Sequence, residues 1–400
     1  MKILCISPYY FPALNFGGPI NSLHGLNAAM VKKGIDITVY TTNVGLSNIP
    51  KGYVSDAVID GVKVRYFNFK RALEFVGSRG WQYSPELKKE LLKNINGFDI
   101  VYIIALWSYP SSIAAYYCRR LKKPYIISPR GMLYSEALRI QSIKKRLYYW
   151  LMKDNIHGAS AIHYTSEHER DSCHDRLNFR NKAIVVPNGI DIKGAEIKQA
   201  LDNDNFIPDI KNKRPILFMA RINKVKGLDM LIKAFALVLR DVGNAHLVIA
   251  GSAEGKYFNS VKKLVTKLNL NGKVTYLDFL KEESKKAAYL SSEVFVLPSR
   301  FESFGMSAVE AMALGVPVVL TDKVGISSEA QKYGAAVVVP ATESELYKGI
   351  KSLLENREFA AEVGANAKRF VAARYSIDNV AQKMIEEFDS VLGKTDCKIC

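Results

Sequence analysis

Residues 293–320 confine this chain to one class of architecture. Glu293-Val294-Phe295-Val296-Leu297 is a short apolar run of the kind that forms a buried strand. Small and straight-chain residues then fill 306–314, Gly315 suits a left-handed C-terminal cap, and Pro317 bars continuation of the helix. A second apolar strand follows at 316–320. The order is strand, loop, helix, strand, the repeating unit of a parallel sheet. Glu302 stands on the loop and Glu310 inside the helix, eight positions on. A helix N-terminus behind a strand offers free backbone N–H groups to an anion. An acid further along the helix can accept hydrogen bonds from sugar hydroxyls. Together they suit a nucleoside diphosphate bearing a sugar.

The same alternation runs through the chain. Strands are expected at 2–8, 36–41, 62–69, 99–106, 125–128, 161–165 and 183–186, with helices at 20–33, 84–96, 111–121 and 136–153 between them. Residues 42–61 read as a polar, Gly-containing stretch. Ile192–Arg214 is polar and strand-poor, and the alternation restarts at 216–219. Strands at 246–250 and 273–277 and helices at 228–241, 256–268 and 282–291 lead to the opening segment. A last strand at 337–340 and helices at 343–354, 358–373 and 376–392 complete the chain. Four hundred residues exceed what one core usually holds. The reading is α/β with two Rossmann-like, doubly wound parallel-sheet domains: 1–190, 191–374, and a C-terminal helix with tail at 375–400.

Hydrophobic residues make up 48% of the chain and no apolar run reaches the length of a membrane span. Met1-Lys2 leads straight into a strand, so a secretory leader is not expected. Five scattered cysteines do not form a disulfide framework and point to a reducing cytoplasm. The net charge of +17 is uneven: residues 1–190 hold 26 Lys+Arg against 13 Asp+Glu, the remainder 30 against 26. A basic first half attracts nucleic acid, an anionic membrane or a phosphate-bearing substrate, or serves solubility.

Further segments carry chemistry or are set aside. Gly17-Gly18-Pro19 follows strand 1 and lets backbone approach a ligand, or is a plain turn; it lacks the dinucleotide fingerprint. Arg221 and Lys226 flank the start of the second domain's first helix, where two cations can stabilise a departing diphosphate, with Gly227 allowing close approach. Cys397-Lys398-Ile399-Cys400 has no second pair for a zinc site. Asp202-Asn203-Asp204 lacks a preceding strand and reads as a solvated loop. Helix 136–153 interleaves Arg139, Lys144, Lys145, Arg146 and Lys153 with Leu147, Tyr148, Tyr149, Trp150, Leu151 and Met152. It suits an anionic membrane interface, or buries Leu147, Trp150 and Leu151 and solvates its lysines.

The segment Pro298-Ser299-Arg300-Phe301-Glu302-Ser303-Phe304-Gly305 to Glu310 resembles the Glu-x7-Glu signature of the retaining glycosyltransferases of family 4, which have the GT-B fold of two domains facing a cleft. Arg221 to Lys226 resembles that family's Arg-x4-Lys diphosphate clamp, Val186-Pro187-Asn188-Gly189-Ile190-Asp191 its interdomain segment, and Gly17-Gly18-Pro19 its first glycine loop. The landmarks stand in the family's order over nearly the whole chain. The resemblance implies an acceptor domain first and a donor domain second, with the last helix crossing back. Glu302, Arg221, Lys226 and Arg130 are the implied catalytic residues. Gly17, Gly18, Asn188, Ser303, Phe304, Gly305 and Glu310 are the implied donor ligands, Glu310 through the ribose hydroxyls.

The chain departs from the family pattern at four places. Tyr102 and Ile104 occupy positions where the family often has histidines, and Ser128-Pro129-Arg130-Gly131-Met132-Leu133 puts Arg130 where an active-site histidine is common. Pro-Arg-Gly-Met-Leu resembles a subset that builds bacterial surface polysaccharides. Arg130 holds sugar oxygens, a phosphate or an acidic acceptor, or else pairs a backbone carbonyl. Asp278 replaces a usual glycine, and Val324-Gly325-Ile326-Ser327-Ser328 differs from the family's loop. The implied activity is retaining transfer of a sugar from a nucleoside diphosphate donor to a saccharide or lipid-linked saccharide hydroxyl, as in O-antigen, capsule or exopolysaccharide assembly. No metal and no cofactor are expected, nor nucleic acid as a partner. The expected location is the cytoplasm, on the anionic inner face of the membrane. The alternatives are a GT-B phosphorylase or epimerase, a non-catalytic sugar-nucleotide binder, or a basic nucleic-acid-binding protein.

Overall fold

Parallel pairing dominates both sheets, as the strand–helix alternation requires. The computed structural model describes residues 1–13, 18–46, 55–70, 81–134, 138, 142–192, 207, 210, 212–252, 255–280 and 282–394. The chain forms two compact units: Met1–Gly189 with Ile377–Cys400, and Ile190–Ser376.

Among the described residues, the first unit holds an eight-stranded sheet. Its strands are β1 (Lys2–Ile6), β2 (Asp36–Thr42), β3 (Ser55–Ile59), β4 (Val62–Phe67), β5 (Ile100–Ile104), β6 (Tyr125–Ser128), β7 (Ala161–Tyr164) and β8 (Lys182–Val185). Their order is β3-β4-β2-β1-β5-β6-β7-β8. Only the β3–β4 pair is antiparallel. That hairpin lies partly in the stretch read from the sequence as polar loop. It turns at Asp60-Gly61, both left-handed at φ 49° and 80°, which is what a two-residue hairpin turn demands. Alternation about Asp-Gly was the signal for it.

The first unit's core joins β1, β2, β5 and β6 to the last helix, Ile377–Val391, through Val380, Ala381, Met384 and Phe388. The Phe388 ring meets Tyr102 of β5 edge-on at 5.6 Å. The helix seen at Ser142–His157 extends past the expected end at 153. Its inward side is carried by Tyr148, whose ring meets Trp81 at 5.3 Å and Trp107 at 5.2 Å, and by buried Asn155 and Ile156. Leu147, Trp150 and Leu151 are 60%, 62% and 61% exposed. The reading in which these three are buried is therefore wrong: Tyr148, Asn155 and Ile156 take that role.

The second unit's described sheet has six parallel strands: β9 (Arg214–Met219), β10 (Ala245–Ala250), β11 (Val274–Leu277), β12 (Val294–Leu297), β13 (Val318–Thr321) and β14 (Val337–Val339). Their order is β11-β10-β9-β12-β13-β14. From β9 the chain winds to β10 on one side, and β12 pairs on the other, so the order reverses between them. The loops leaving the carboxyl ends of β9 and β12 flank that switch point, where open α/β sheets bind ligands. They are the loops that carry Arg221–Lys226 and Arg300–Gly305. The motifs at Asp202–Asp204 and Cys397–Cys400 lie outside the described residues.

Candidate functional site

Glycine packing brings the β9 and β12 loops together. Gly227 is left-handed at φ 67°, and a Cβ there would stand 2.0 Å from the Pro298 carbonyl oxygen, so only glycine fits. Before it, Asn223 caps a short turn, Lys224–Lys226, by accepting from the Lys226 N–H at 3.2 Å. Arg300 then ties the two loops. Its backbone N–H donates to Val225 O at 2.7 Å and its Nη1 to Lys224 O at 2.8 Å. Nη1 and Nη2 also reach the two Asp229 carboxylate oxygens at 2.8 and 2.7 Å. Tyr257 donates its hydroxyl to Asp229 Oδ1 at 2.8 Å. Burial alone would raise the Asp229 pKa, but the Arg300 and Tyr257 bonds prevail and hold it below the ordinary carboxylate range.

This staple sets Lys226 against Glu302. Their side chains form an ion pair across 76 residues of sequence, each less than one-fifth exposed. Glu302 is fixed from its backbone too: its N–H donates to Lys323 O at 3.0 Å and its carbonyl accepts from Gly325 N–H at 2.8 Å. The loop that departs from the family pattern thus braces this acid through a bridge to Val324. Arg221, on the same β9 loop, is exposed. Gly305 opens the Met306–Ala313 helix at φ 106°, and no side chain among the described residues caps its N-terminus. Phe304 contributes backbone only, since its ring is buried against Tyr375 at 5.2 Å. Ser303, between Glu302 and Phe304, is partly buried.

Glu310, inside that helix, is partly buried and already engaged. Lys285 Nζ donates to Oε1 at 2.8 Å and Tyr289 OH to Oε2 at 2.9 Å, both from the Glu282–Leu290 helix. Each carboxylate oxygen has lone pairs beyond these bonds, so a diol can still be accepted. Lys285 and Tyr289 went unremarked in the sequence, although their i,i+4 spacing marks one helix face.

The first unit gathers a second cluster behind β6. Arg130 is a non-glycine residue at φ 50°, followed by Gly131 at φ 79°. Its Nη1 donates to Asn188 Oδ1 and its Nη2 to Tyr102 OH at 3.3 Å. It therefore pairs neutral side chains rather than a backbone carbonyl, and that structural alternative is corrected. Tyr102 donates in turn to His163 Nδ1 at 2.7 Å, and His163 Nε2–H donates to Val186 O at 2.8 Å. Burial and then the nearby Arg130 charge press the His163 pKa down to about 3, so the ring is neutral and its tautomer is set by these two bonds. Beside it, Glu169 is fully buried and accepts from the N–H groups of Gly131 and Thr165 and from the Thr165 hydroxyl. Burial outweighs those bonds and raises its pKa. Gly18 is the first residue of the Gly18–Lys32 helix, and Gly17 lies outside the described residues.

So the structure joins Lys226 to Glu302 and Arg130 to Asn188, leaves Arg221 in solvent, and gives Glu310 partners that the motif did not name. Arg300, Asp229 and Tyr257 were also missed. Arg300 sits in a loop already singled out and Asp229 in the first turn of the Leu228–Asp241 helix just behind the other, but their pairing spans 71 residues and has no local signature.

The family described as "Glycosyltransferase Family 4" matches residues 16–193, and that described as "Glycosyl transferases group 1" matches residues 201–370. An uncharacterized glycosyltransferase of Methanocaldococcus jannaschii is 25% identical, covering 97% of this chain and 98% of its own. The alpha-monoglucosyldiacylglycerol synthase of Streptococcus pneumoniae is 24% identical over 80% of this chain and 70% of its own. Among solved structures, sucrose-phosphate synthase from Thermosynechococcus elongatus superimposes with a TM-score of 0.74 at 18% identity, over 98% of this chain and all of its own. Anabaena HepE, in complex with UDP and glucose, gives the same TM-score, identity and coverage. At such identity these two structures establish the fold, GT-B.

Proposed function

The chain belongs to the group 1 and family 4 glycosyltransferases, and from that premise we propose that it is a retaining enzyme using a nucleoside diphosphate sugar. The acceptor is a hydroxyl of a saccharide or lipid-linked saccharide in bacterial surface-polysaccharide assembly. The second unit takes the donor and the first the acceptor. The observation that carries this reading is the meeting of Lys226 and Glu302 beside an uncapped helix start, at the switch point of the second sheet.

In this reading Lys226, Arg221 and the backbone amides near Phe304 and Gly305 receive the diphosphate, and Glu310 receives the ribose. The bond between the sugar C1 and the diphosphate oxygen breaks as C1 bonds the acceptor oxygen on the same face. The acceptor proton passes to the departing phosphate oxygen. The protein's share is orientation and stabilisation of the charge that grows on the leaving group. Lysine and arginine supply that charge, so turnover should persist in EDTA; loss of activity with rescue by Mn²⁺ would contradict the reading. HepE was solved with UDP-glucose, which makes UDP sugars the first donors to try. Thermal-shift screening of nucleoside diphosphate sugars, then mass spectrometry of products on lipid-linked acceptors, tests the whole proposal. Stabilisation by no such donor sinks it.

We propose in addition that the enzyme works in the cytoplasm at the anionic inner face of the membrane, a reading supported by the Ser142–His157 helix. Among the described residues no helix is long and apolar enough to cross a membrane. Leu147, Trp150 and Leu151 nevertheless share one exposed face at i, i+3, i+4 spacing. Lysines and an arginine at 144, 145, 146 and 153 accompany them in sequence, the composition of an anionic-membrane interface. Replacing all three apolar residues with serine should release the enzyme from anionic vesicles in sedimentation. Equal binding by the wild type and the triple variant would remove this element.

A further inference from the structure

Arg130 is a permanent cation without an anionic hydrogen-bond partner among the described residues. A guanidinium carries five N–H donors. Two of the five are spent, on Asn188 Oδ1 and Tyr102 OH, both neutral acceptors. The Nε–H is buried and takes no partner among the described residues. Glu169, the buried acid whose pKa feels the Arg130 charge, gives its oxygens to Gly131 and Thr165 instead.

The neighbours are built to hold this charge in place, not to neutralise it. His163 is kept neutral and accepts the Tyr102 O–H hydrogen bond, which leaves the Tyr102 oxygen facing Arg130 as an acceptor. Asn188 holds the other nitrogen. The left-handed backbone at 130 is a conformation that persists in non-glycine residues where the surroundings enforce it, and such residues gather at ligand sites. A partly buried cation with unused, fixed donors is costly to leave alone and strong when an oxyanion arrives.

We propose that Arg130 binds an oxyanion carried by the acceptor, a phosphate or a carboxylate, held by the Tyr102–Arg130–Asn188 arrangement. This rests on the assignment of the first unit to the acceptor. The enzyme's acceptor is then an anion-bearing saccharide, either a sugar phosphate or an acidic sugar, and a neutral glycan lacking such a group is a poor substrate.

The first test uses the full-length wild-type chain. Arginines are modified with phenylglyoxal, and the rate at each residue is read by peptide mass spectrometry. Glucose 1-phosphate, glucuronate, glucose and sulfate at matched ionic strength are the added probes. A charge-assisted bond at Arg130 should slow its modification about tenfold with glucose 1-phosphate or glucuronate, and not with glucose. Stronger protection by the phosphate ester identifies a sugar phosphate; stronger protection by glucuronate identifies an acidic sugar. Protection by neither overturns the proposal, as does protection by sulfate equal to both, because the site would then recognise an ion and no acceptor. Arg221 is read in the same experiment with UDP, ADP and GDP. Its protection by a nucleotide reports on the donor assignment separately, so failure at Arg130 and failure of the donor reading are told apart. An Arg130→Lys chain, which keeps the charge and loses the planar fork, should bind both anionic probes more weakly by isothermal titration. Unchanged affinities would also overturn the proposal.

Discussion

The site clusters of the two units treat charge in opposite ways. In the second, each buried or half-buried ion described near the switch point has a partner of opposite sign: Lys226 with Glu302, Lys285 with Glu310, Arg300 with Asp229. In the first, Arg130 hydrogen-bonds an amide and a hydroxyl, the hydroxyl is held by a neutral imidazole, and the nearby Glu169 gives its oxygens to Gly131 and Thr165. The second arrangement is complete before any ligand comes, and suits a pre-set receptor whose cations are aimed by their own counter-ions. The first leaves charge unspent, as a cluster does when the compensating anion belongs to the substrate. The second unit should therefore be sensitive to the loss of either partner of a pair, and the first to conditions that alter its neutral scaffold.

The sharpest break is at Lys226. Lys226→Ala removes a positioned cation and strands Glu302, and kcat should fall about 10²–10³-fold with little change in melting temperature. A rate within twofold of wild type would show that the pair is structural. Next comes Glu310→Gln. If Glu310 binds a non-reacting part of the donor, the donor KM should rise about tenfold while kcat is kept. Lys285→Met in the same chain should recover part of that loss, because the stranded lysine is then removed. A fall in kcat with unchanged KM would place Glu310 on the reacting sugar.

A smaller effect is expected at the staple. Arg300→Met alone should cost about 1–2 kcal/mol of stability, after allowance for the partial exposure of both side chains. The double variant Arg300→Met, Asp229→Leu should lose less than the sum of the singles; strict additivity in urea melts would deny the coupling. The gentlest test is pH. The folded pKa of His163 is about 3 against an ordinary 6.5, so as pH falls the unfolded chain binds the proton first. Its contribution to stability is complete above pH 6.5 and drains away between there and about 3, with a slope of at most ~1.4 kcal/mol per pH unit. His163→Asn should flatten the decline of Tm below pH 6.5. Parallel curves for the two proteins would mean that His163 is not the group responsible.

Much of this was legible along the chain, for a physical reason. Strand and helix periods are local, so the parallel sheets followed from runs such as Val294–Leu297 and from the Gly315 and Pro317 stops. Glu302, Lys226 and Glu310 stood out as candidates because loops at strand ends and a short helix have local signatures. The β3–β4 hairpin was passed over because Asp60-Gly61 was weighed as loop composition and not as a turn with two left-handed residues. Arg300–Asp229, Lys285–Glu310 and Arg130–Asn188 are contacts between distant segments, and no periodicity encodes those. Helix 136–153 shows the limit most plainly. Its composition allowed either face to turn inward, and the choice of Tyr148 over Trp150 was made by Trp81 and Trp107, which belong to other elements.

The path of the chain sets an order for its birth on the ribosome. The eight-stranded unit is split in sequence, and the helix Ile377–Val391 supplies Phe388, buried against Tyr102 of its central strand β5. That strand is synthesised nearly three hundred residues earlier. The second unit, Ile190–Ser376, is continuous and can fold as soon as it emerges. The first must wait with an open seam along β1 and β5 until the last helix arrives. The N-terminal half is thus made first and finished last, and a chain cut at Ser376 would hold a closed second unit and an unsealed first one.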